Sequence, residues 1–279
     1  MHPRTETPPI GTMVSVGGTE IHVREDGSAG PRVLLLHGFS GSMHWYDEVA
    51  ARLAAEHRVL RVDLRGHGGT GGNSGLDPRA QAHLIAGLLD QLDATAVTAV
   101  GHSFGADVAL ELARASRRVH RIVIIDQAPD YSFATLPPGA SILGLPGLGT
   151  IVNRYTPAFL IKLFMRNAFA PGFDAATAFD DPGRVIADTR ATAGPMYREV
   201  GNVRRSRLAA TPLDQQVAAA GLPTLVIHGR HDALYDCAAT VARYEAVGAH
   251  THVIEDAGHS PNVEQPEAVA QALATFAGS

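Results

Sequence analysis

Short apolar runs alternate with longer stretches of helical spacing through the first 126 residues. Residues 12–16 and 20–24 flank Gly17-Gly18 and read as an antiparallel hairpin at a sheet edge. Residues 32–36 form an apolar-centred strand that runs into the loop His37-Gly38-Phe39-Ser40-Gly41. Trp45, Val49 and Leu53 stand four apart and predict a helix over 45–56. A second buried strand, 58–62, stops at Asp63, and the glycine-rich 64–75 follows as a loop. A helix over 79–92, a strand over 95–100, a helix over 104–116 and a strand over 121–125 complete the run at Asp126. Strands alternating with helices predict crossover units of a parallel sheet, and strands apolar along their whole length predict that both faces are covered.

The pattern changes after Asp126. From 128 to about 208 no sheet strand is apparent, Pro, Gly and Phe are frequent, and helical segments fall roughly at 148–168, 175–192 and 194–207. This reads as a mostly helical insertion over the strand ends, with the glycine- and leucine-rich 139–149 as a hinge or lid edge. The sheet resumes at 224–227, and a helix over 237–246, a last strand over 251–254 and a closing helix over 263–276 follow. The predicted organisation is a core in two parts, 1–127 and 211–279, separated by a helical cap at 128–210.

Composition narrows the class. An apolar fraction of 45%, a charged fraction of 18% and a net charge of −5 describe a folded soluble chain with no nucleic-acid footprint. The densest basic cluster, Arg204-Arg205 with Arg207, reads as a solvated helix face. The single cysteine, Cys237, excludes an internal disulfide and reads as a small buried filler. The polar, proline-rich start lacks an apolar core of signal-peptide length, and no apolar run is long enough to span a membrane, so a cytoplasmic location is the default expectation.

The chemistry centres on Gly101-His102-Ser103-Phe104-Gly105, where a strand passes into a helix. Such a turn holds a serine in strained geometry with its hydroxyl projecting, and the flanking glycines make room for the neighbouring backbone. A serine hydroxyl needs a base, and the base needs an orienting group. Among fourteen histidines, His259 follows the last strand in the rigid loop Gly258-His259-Ser260-Pro261, on the sheet edge that Ser103 occupies. His102 is expected to pack beside the turn, because adjacent side chains point apart. Asp232, which follows the strand 224–227 through Gly229-Arg230-His231, suits the orienting acid. Asp126, Asp63 and Asp256 are the competing acids. Donors for an oxyanion are expected from the backbone N–H of Phe104, at a helix start, and of Phe39. Gly66-His67-Gly68-Gly69 lacks the Gly-Lys-[Ser/Thr] ending of a phosphate loop and reads as a turn packed under the site, and His228-Gly229-Arg230-His231-Asp232 lacks the spacing of a metal centre.

These segments together resemble the α/β-hydrolase fold superfamily, in its serine-nucleophile branch. The likeness rests on Leu34-Leu35-Leu36-His37-Gly38-Phe39, Val62-Asp63-Leu64-Arg65-Gly66-His67-Gly68, the pentapeptide at 101–105, Val226-Ile227-His228-Gly229-Arg230-His231-Asp232, and Gly258-His259-Ser260-Pro261. The resemblance implies an α/β fold: an eight-stranded, mostly parallel sheet with helices on both faces and a helical cap inserted after the sixth strand. It also implies Ser103 as nucleophile, Asp232 as acid, His259 as base, and the Phe39 and Phe104 amides as oxyanion donors, with no metal or organic cofactor. Serine at 103 argues against the members that use aspartate as nucleophile. The expected activity is hydrolysis of a carboxylic ester of a small, mainly apolar molecule. C–C bond hydrolysis of ring-cleavage products, lactonase or thioesterase action and a non-catalytic ligand-binding role are the alternatives. C–C hydrolysis would call for a pocket arginine, for which Arg190 and Arg198 are available. Leu143, Leu145, Leu148, Ile151, Phe159, Phe164, Met165, Phe169 and Met196 are candidates for pocket lining or for packing the cap on the sheet. The expected partner is a small-molecule substrate, without nucleic acid or membrane; homo-oligomerisation is left open.

Overall fold

A computed structural model describes residues 11–135, 142, 144, 145 and 147–278. Five of the eleven residues of the predicted hinge at 139–149, Leu143 among them, and the start of the chain lie outside the described residues. Eight strands form one sheet: β1 (Thr12–Val16), β2 (Thr19–Asp26), β3 (Arg32–Leu36), β4 (Arg58–Val62), β5 (Val97–His102), β6 (Val119–Ile125), β7 (Thr224–Gly229) and β8 (His250–Ile254). Their order is β1-β2-β4-β3-β5-β6-β7-β8, antiparallel at β1–β2 and β2–β4 and parallel elsewhere.

Side chains of the central strands point alternately to two cores. Leu34, Leu36, Ala99, Ile122 and Ile124 pack on one face against α2 (Pro78–Gln91), α3 (Phe104–Ala115) and α9 (Leu213–Ala220). Val33, Leu35, Val100, Val123 and Ile125 face α1 (Asp47–Leu53) and α12 (Pro266–Gly278) on the other. The period-2 alternation of an extended chain makes the continuous apolar runs serve both cores at once. The remaining core helices are α10 (Cys237–Glu245) and α11 (Pro261–Glu264).

The insertion after β6 is helical, as expected, but more broken. The segment at 148–168 divides into α4 (Leu148–Tyr155) and α5 (Ala158–Met165), because Pro157 cannot continue the first helix and caps the second. The segment at 175–192 keeps only α6 (Arg184–Ala191) as α-helix. The segment at 194–207 becomes α7 (Gly194–Arg198), a π-helical turn at Glu199–Val203 and α8 (Arg204–Ala210), with the Tyr131 hydroxyl donating to the Val200 carbonyl inside the π turn. The short α9 was not among the predicted helices; its two bulky apolar residues, Leu213 and Val217, give a weak periodic signal.

One expectation about charge is overturned. Arg204 is fully buried, not solvated. Its Nε and Nη2 reach both oxygens of Asp107 on α3, at 2.6–3.1 Å, and Arg207 adds a bond at 2.7 Å. A basic triplet on a helix reads as a solvated face only until a buried acid faces it, and Asp107 lies 97 residues away in sequence. This ion pair ties α8 of the cap to α3 of the core. Removing one partner of a buried pair strands the other charge. Arg204→Met is therefore expected to lower unfolding free energy by roughly 3 kcal/mol in chemical denaturation, and Arg204→Met/Asp107→Leu to recover much of that loss.

Candidate active site

The C-terminal ends of the parallel strands converge on one edge, and the sequence-predicted residues stand there. Ser103 follows β5 with φ 49° and ψ −118°, a left-handed conformation costly for any residue but glycine. Close packing explains why both flanking residues are glycine. A Cβ on Gly101 would lie 2.2 Å from the Gly105 carbonyl oxygen, and one on Gly105 would lie 2.3 Å from that of Leu36. The Ser103 N–H donates to the Ile125 carbonyl at 2.9 Å, which anchors the turn to β6.

The loop after β3 passes over this turn. A Cβ on Gly38 would come within 3.1 Å of Ser103 Cβ and 2.8 Å of His102 Nδ1. His37 sets the loop's course: its Nδ1 donates to the Gly38 carbonyl at 2.8 Å, and its Nε2 accepts from the Leu64 amide at 3.0 Å. Burial holds this imidazole below its ordinary pKa despite Asp63 nearby, so it is the neutral tautomer. Phe104 begins α3, where an N–H has no intrahelical acceptor. Phe39, one residue beyond Gly38, meets His67 and Tyr197 edge-on with its ring.

Asp232 and His259 are joined directly. His259 Nδ1 donates to Asp232 Oδ2 at 2.9 Å, which leaves Nε2 as the free lone pair. The other carboxylate oxygen accepts the Leu234 and Tyr235 amides at 2.7 and 3.2 Å. Burial alone would raise the Asp232 carboxyl, but His259, His228 and the Leu234 amide outweigh it and hold the group below the usual carboxylate value. Ser103 is tied to the pair through its neighbour: His102 Nε2 donates to the His259 carbonyl at 2.7 Å. Burial and the nearby His259 push the His102 pKa down to about 3, so it packs as a neutral strut, in agreement with the expectation from sequence. Among the described residues no hydrogen bond joins the Ser103 hydroxyl to His259.

The competing acids have other partners. Asp63 lies under the site, accepting from His22, Met43 and Gly69; against the cost of burial these bonds and His37 bring it down to about 2. A Cβ on Gly68 would strike its carboxylate, so the glycine-rich segment is the turn packed beneath the site. Asp126 accepts from the Gly229 amide at 2.8 Å, and burial together with the Asp232 charge raises its pKa well above the usual carboxylate range. Asp256 offers its backbone carbonyl to Gln265. Asp126, His228 and Asp232 each bring one potential metal-ligand atom within 4.8 Å of the others. Within this group Asp232 is already bonded to His259 through Oδ2.

Two cap contacts were not legible in the sequence. The buried Glu264 carboxylate accepts from the Gly258 and Ser260 amides at 3.0 Å and from Ala170 of the cap at 2.6 Å. A Cβ on Gly258 would lie 2.2 Å from the Ala170 nitrogen, so the His259 loop and the cap fit only with glycine there. On α6, Asp188 Oδ2 accepts from both Ser42 Oγ and Trp45 Nε1 at 2.9 Å. Trp45 in turn stacks between His102 and Phe169. Met165, Phe169, Phe173, Val185 and Ala233 line a cleft of about 680 Å³ between the cap and the loop that carries Asp232. Of the other cap candidates, Leu145, Ile151, Phe159 and Phe164 face outward and Met196 is packed against Gly66 and Leu76. Arg190 and Arg198 are exposed.

The model of the Alpha/beta hydrolase family matches residues 33–272. The chain belongs to this family. Among curated relatives, this hydrolase is 28% identical over 274 residues to a 2-hydroxy-6-oxo-2,4-heptadienoate hydrolase of Pseudomonas putida, covering 92% of each chain. It is 27% identical over 257 residues to a pimeloyl-[acyl-carrier protein] methyl ester esterase of Neisseria meningitidis, covering 88% of this chain and 93% of that one. In structure it superposes on a thermophilic esterase from Thermogutta terrifontis with a TM-score of 0.77 at 23% identity, covering 95% and 97% of the two chains, a likeness of fold.

The Asp188 contact generates a pH prediction. Burial, only partly offset by Arg184 and the two donors, raises its pKa from 3.8 to about 6. The folded chain therefore holds this proton more tightly than the unfolded chain, and stability falls as pH rises between those two values. Asp188→Asn keeps an acceptor for Ser42 and Trp45 without the charge. It is expected to flatten that decline and to raise Tm above pH 6, with little effect at the acid end, in a thermal denaturation series across pH.

Proposed function

We propose that this hydrolase cleaves a carboxylic ester of a small, mainly apolar molecule through an acyl-enzyme on Ser103. The observation that carries the reading is the His259–Asp232 hydrogen bond beside a strained serine whose turn lies against the Gly38 loop. In this mechanism Ser103 Oγ attacks the ester carbonyl while His259 Nε2 takes its proton. The Phe39 and Phe104 amides receive the oxyanion, and the charge at the start of α3 favours it. Asp232 holds the imidazole in the required tautomer and stabilises its cation. Collapse breaks the bond to the alcohol, which leaves with the proton from His259. Water then attacks the acyl group with His259 as base, and the second collapse returns the proton to Ser103 and frees the acid.

The apolar walls that Met165, Phe169, Phe173 and Val185 give the cleft beside Ala233 support an apolar acyl or aromatic substrate, although Lys162, Arg166 and Asp174 also border it, and the similarity to a methyl ester esterase supports the ester bond. A second reading, C–C hydrolysis of a ring-cleavage product with the same three residues, is favoured by the similarity to a heptadienoate hydrolase. Against it, the arginines put forward for the substrate carboxylate, Arg190 and Arg198, are exposed. Kinetics on short p-nitrophenyl esters alongside a dienoate ring-cleavage product separate the two readings. Ester turnover with negligible cleavage of the dienoate is expected, and the reverse preference would replace the first reading by the second.

The assignment of the acid has its own test. Asp232→Asn should lower kcat by about 10⁴ with the fold intact. Asp126→Asn, which keeps an oxygen acceptor for the Gly229 amide, should leave kcat within a few-fold of the parent. The opposite ranking would transfer the orienting role to Asp126.

A further inference from the structure

Helix α4 is turned inside out. Its spacing sets Leu148, Ile151, Val152 and Tyr155 on one side, yet the residues it buries are Gly149 and Asn153. Specific contacts hold this rotation. A Cβ on Gly149 would lie 2.4 Å from the Gly194 carbonyl oxygen, so only a glycine lets α4 approach α7. Asn153 donates to the Thr192 carbonyl and accepts from the Tyr197 hydroxyl. Rolling the helix to bury its apolar side would strand that amide and drive a larger side chain into α7. The outward apolar face is thus built into the packing. Ile151 is 56% exposed and Tyr155 70%, and exposed aromatic side chains follow on α5, Phe159 at 68% and Phe164 at 63%. Monomeric proteins seldom expose so many large apolar side chains together without a partner.

The stretch of chain that carries this face has charge of one sign, and the first acid after it, Asp174, shares the cleft with Lys162 and Arg166. Residues 131–173 contain no Asp or Glu in a chain whose net charge is −5, and they carry Arg154, Lys162 and Arg166. All three cations are exposed, and the Arg154 guanidinium sits 5.8 Å from the centre of the Tyr155 ring. A second copy of this face would set like charges against each other with no acid in the stretch to meet them. An apolar layer fringed by anions meets both features.

We propose that the outer face of α4 and α5 docks on an anionic lipid surface. Ile151, Tyr155 and Phe159 enter the boundary between headgroups and acyl chains, and Arg154, Lys162 and Arg166 meet the anionic headgroups. This is surface attachment, not insertion: no described helix is long and apolar enough to cross a membrane. Lys162 and Arg166 also border the 680 Å³ cleft, so a docked cap sets that cleft at the lipid surface. The proposal does not depend on which bond the enzyme cleaves.

Co-sedimentation of the full chain with vesicles of phosphatidylcholine, with and without phosphatidylglycerol, tests it. Binding is expected to the anionic vesicles, to weaken with added salt, and to be feeble on phosphatidylcholine alone. Ile151→Ser/Tyr155→Ser/Phe159→Ser and, separately, Arg154→Glu should each lower the partition coefficient, roughly tenfold for the charge reversal. Their thermal midpoints should stay near that of the parent, because the replaced side chains point to solvent. Three results would overturn the proposal: no sedimentation of the parent with anionic vesicles, equal binding by the variants, or self-association in the absence of lipid that the triple variant abolishes. The last would assign the face to a second copy of the chain.

Discussion

The site is organised around one strained residue. A left-handed serine at the end of a strand costs on the order of 1–3 kcal/mol, so the surroundings must hold it. Here the Ser103 amide is bonded to β6, and Gly101 and Gly105 let the turn, the helix after it and the end of β3 close together. The same closeness brings the Gly38 loop over Ser103 and points His102 at the His259 loop. Relaxing φ at Ser103 would move the start of α3, the neighbouring imidazole and the loop above it together.

The other half of the site is held from a different direction. Asp232 orients His259 from β7, while Glu264 pins the backbone on both sides of His259 and reaches the cap at Ala170. Asp188 and Trp45 fasten α6 to the loop region that follows Phe39, and Arg204 fastens α8 to α3 just beyond Phe104. The cap is therefore attached beside each of the groups assigned to the chemistry. A movement of the cap would be felt by His259 through Glu264 and by the Gly38 loop through Ser42 and Trp45.

Local grammar made much of this legible. Continuous apolar strands, a glycine-flanked serine and acids and histidines at strand ends all act through neighbours in sequence, so eight strands and the convergence on one edge could be read directly. Contacts between distant segments could not. Arg204 looks solvated until Asp107 is placed opposite it, and nothing near Glu264 or Asp188 announces that cap amides or an indole will be their partners. Pro157 could have divided the long cap helix on inspection, whereas the inverted α4 defeats periodicity outright. Its apolar spacing is regular, and only Gly149 and Asn153, set by contacts across the cap, decide which side faces in.

The central claim is that Ser103 forms a covalent bond with the substrate's acyl group, and peptide-level mass spectrometry after a fluorophosphonate pulse addresses it most directly. The account predicts stoichiometric labelling confined to the peptide carrying Ser103, absent from Ser103→Ala and much slower in Asp232→Asn. Labelling elsewhere in the chain, or none by a folded parent protein, would contradict it.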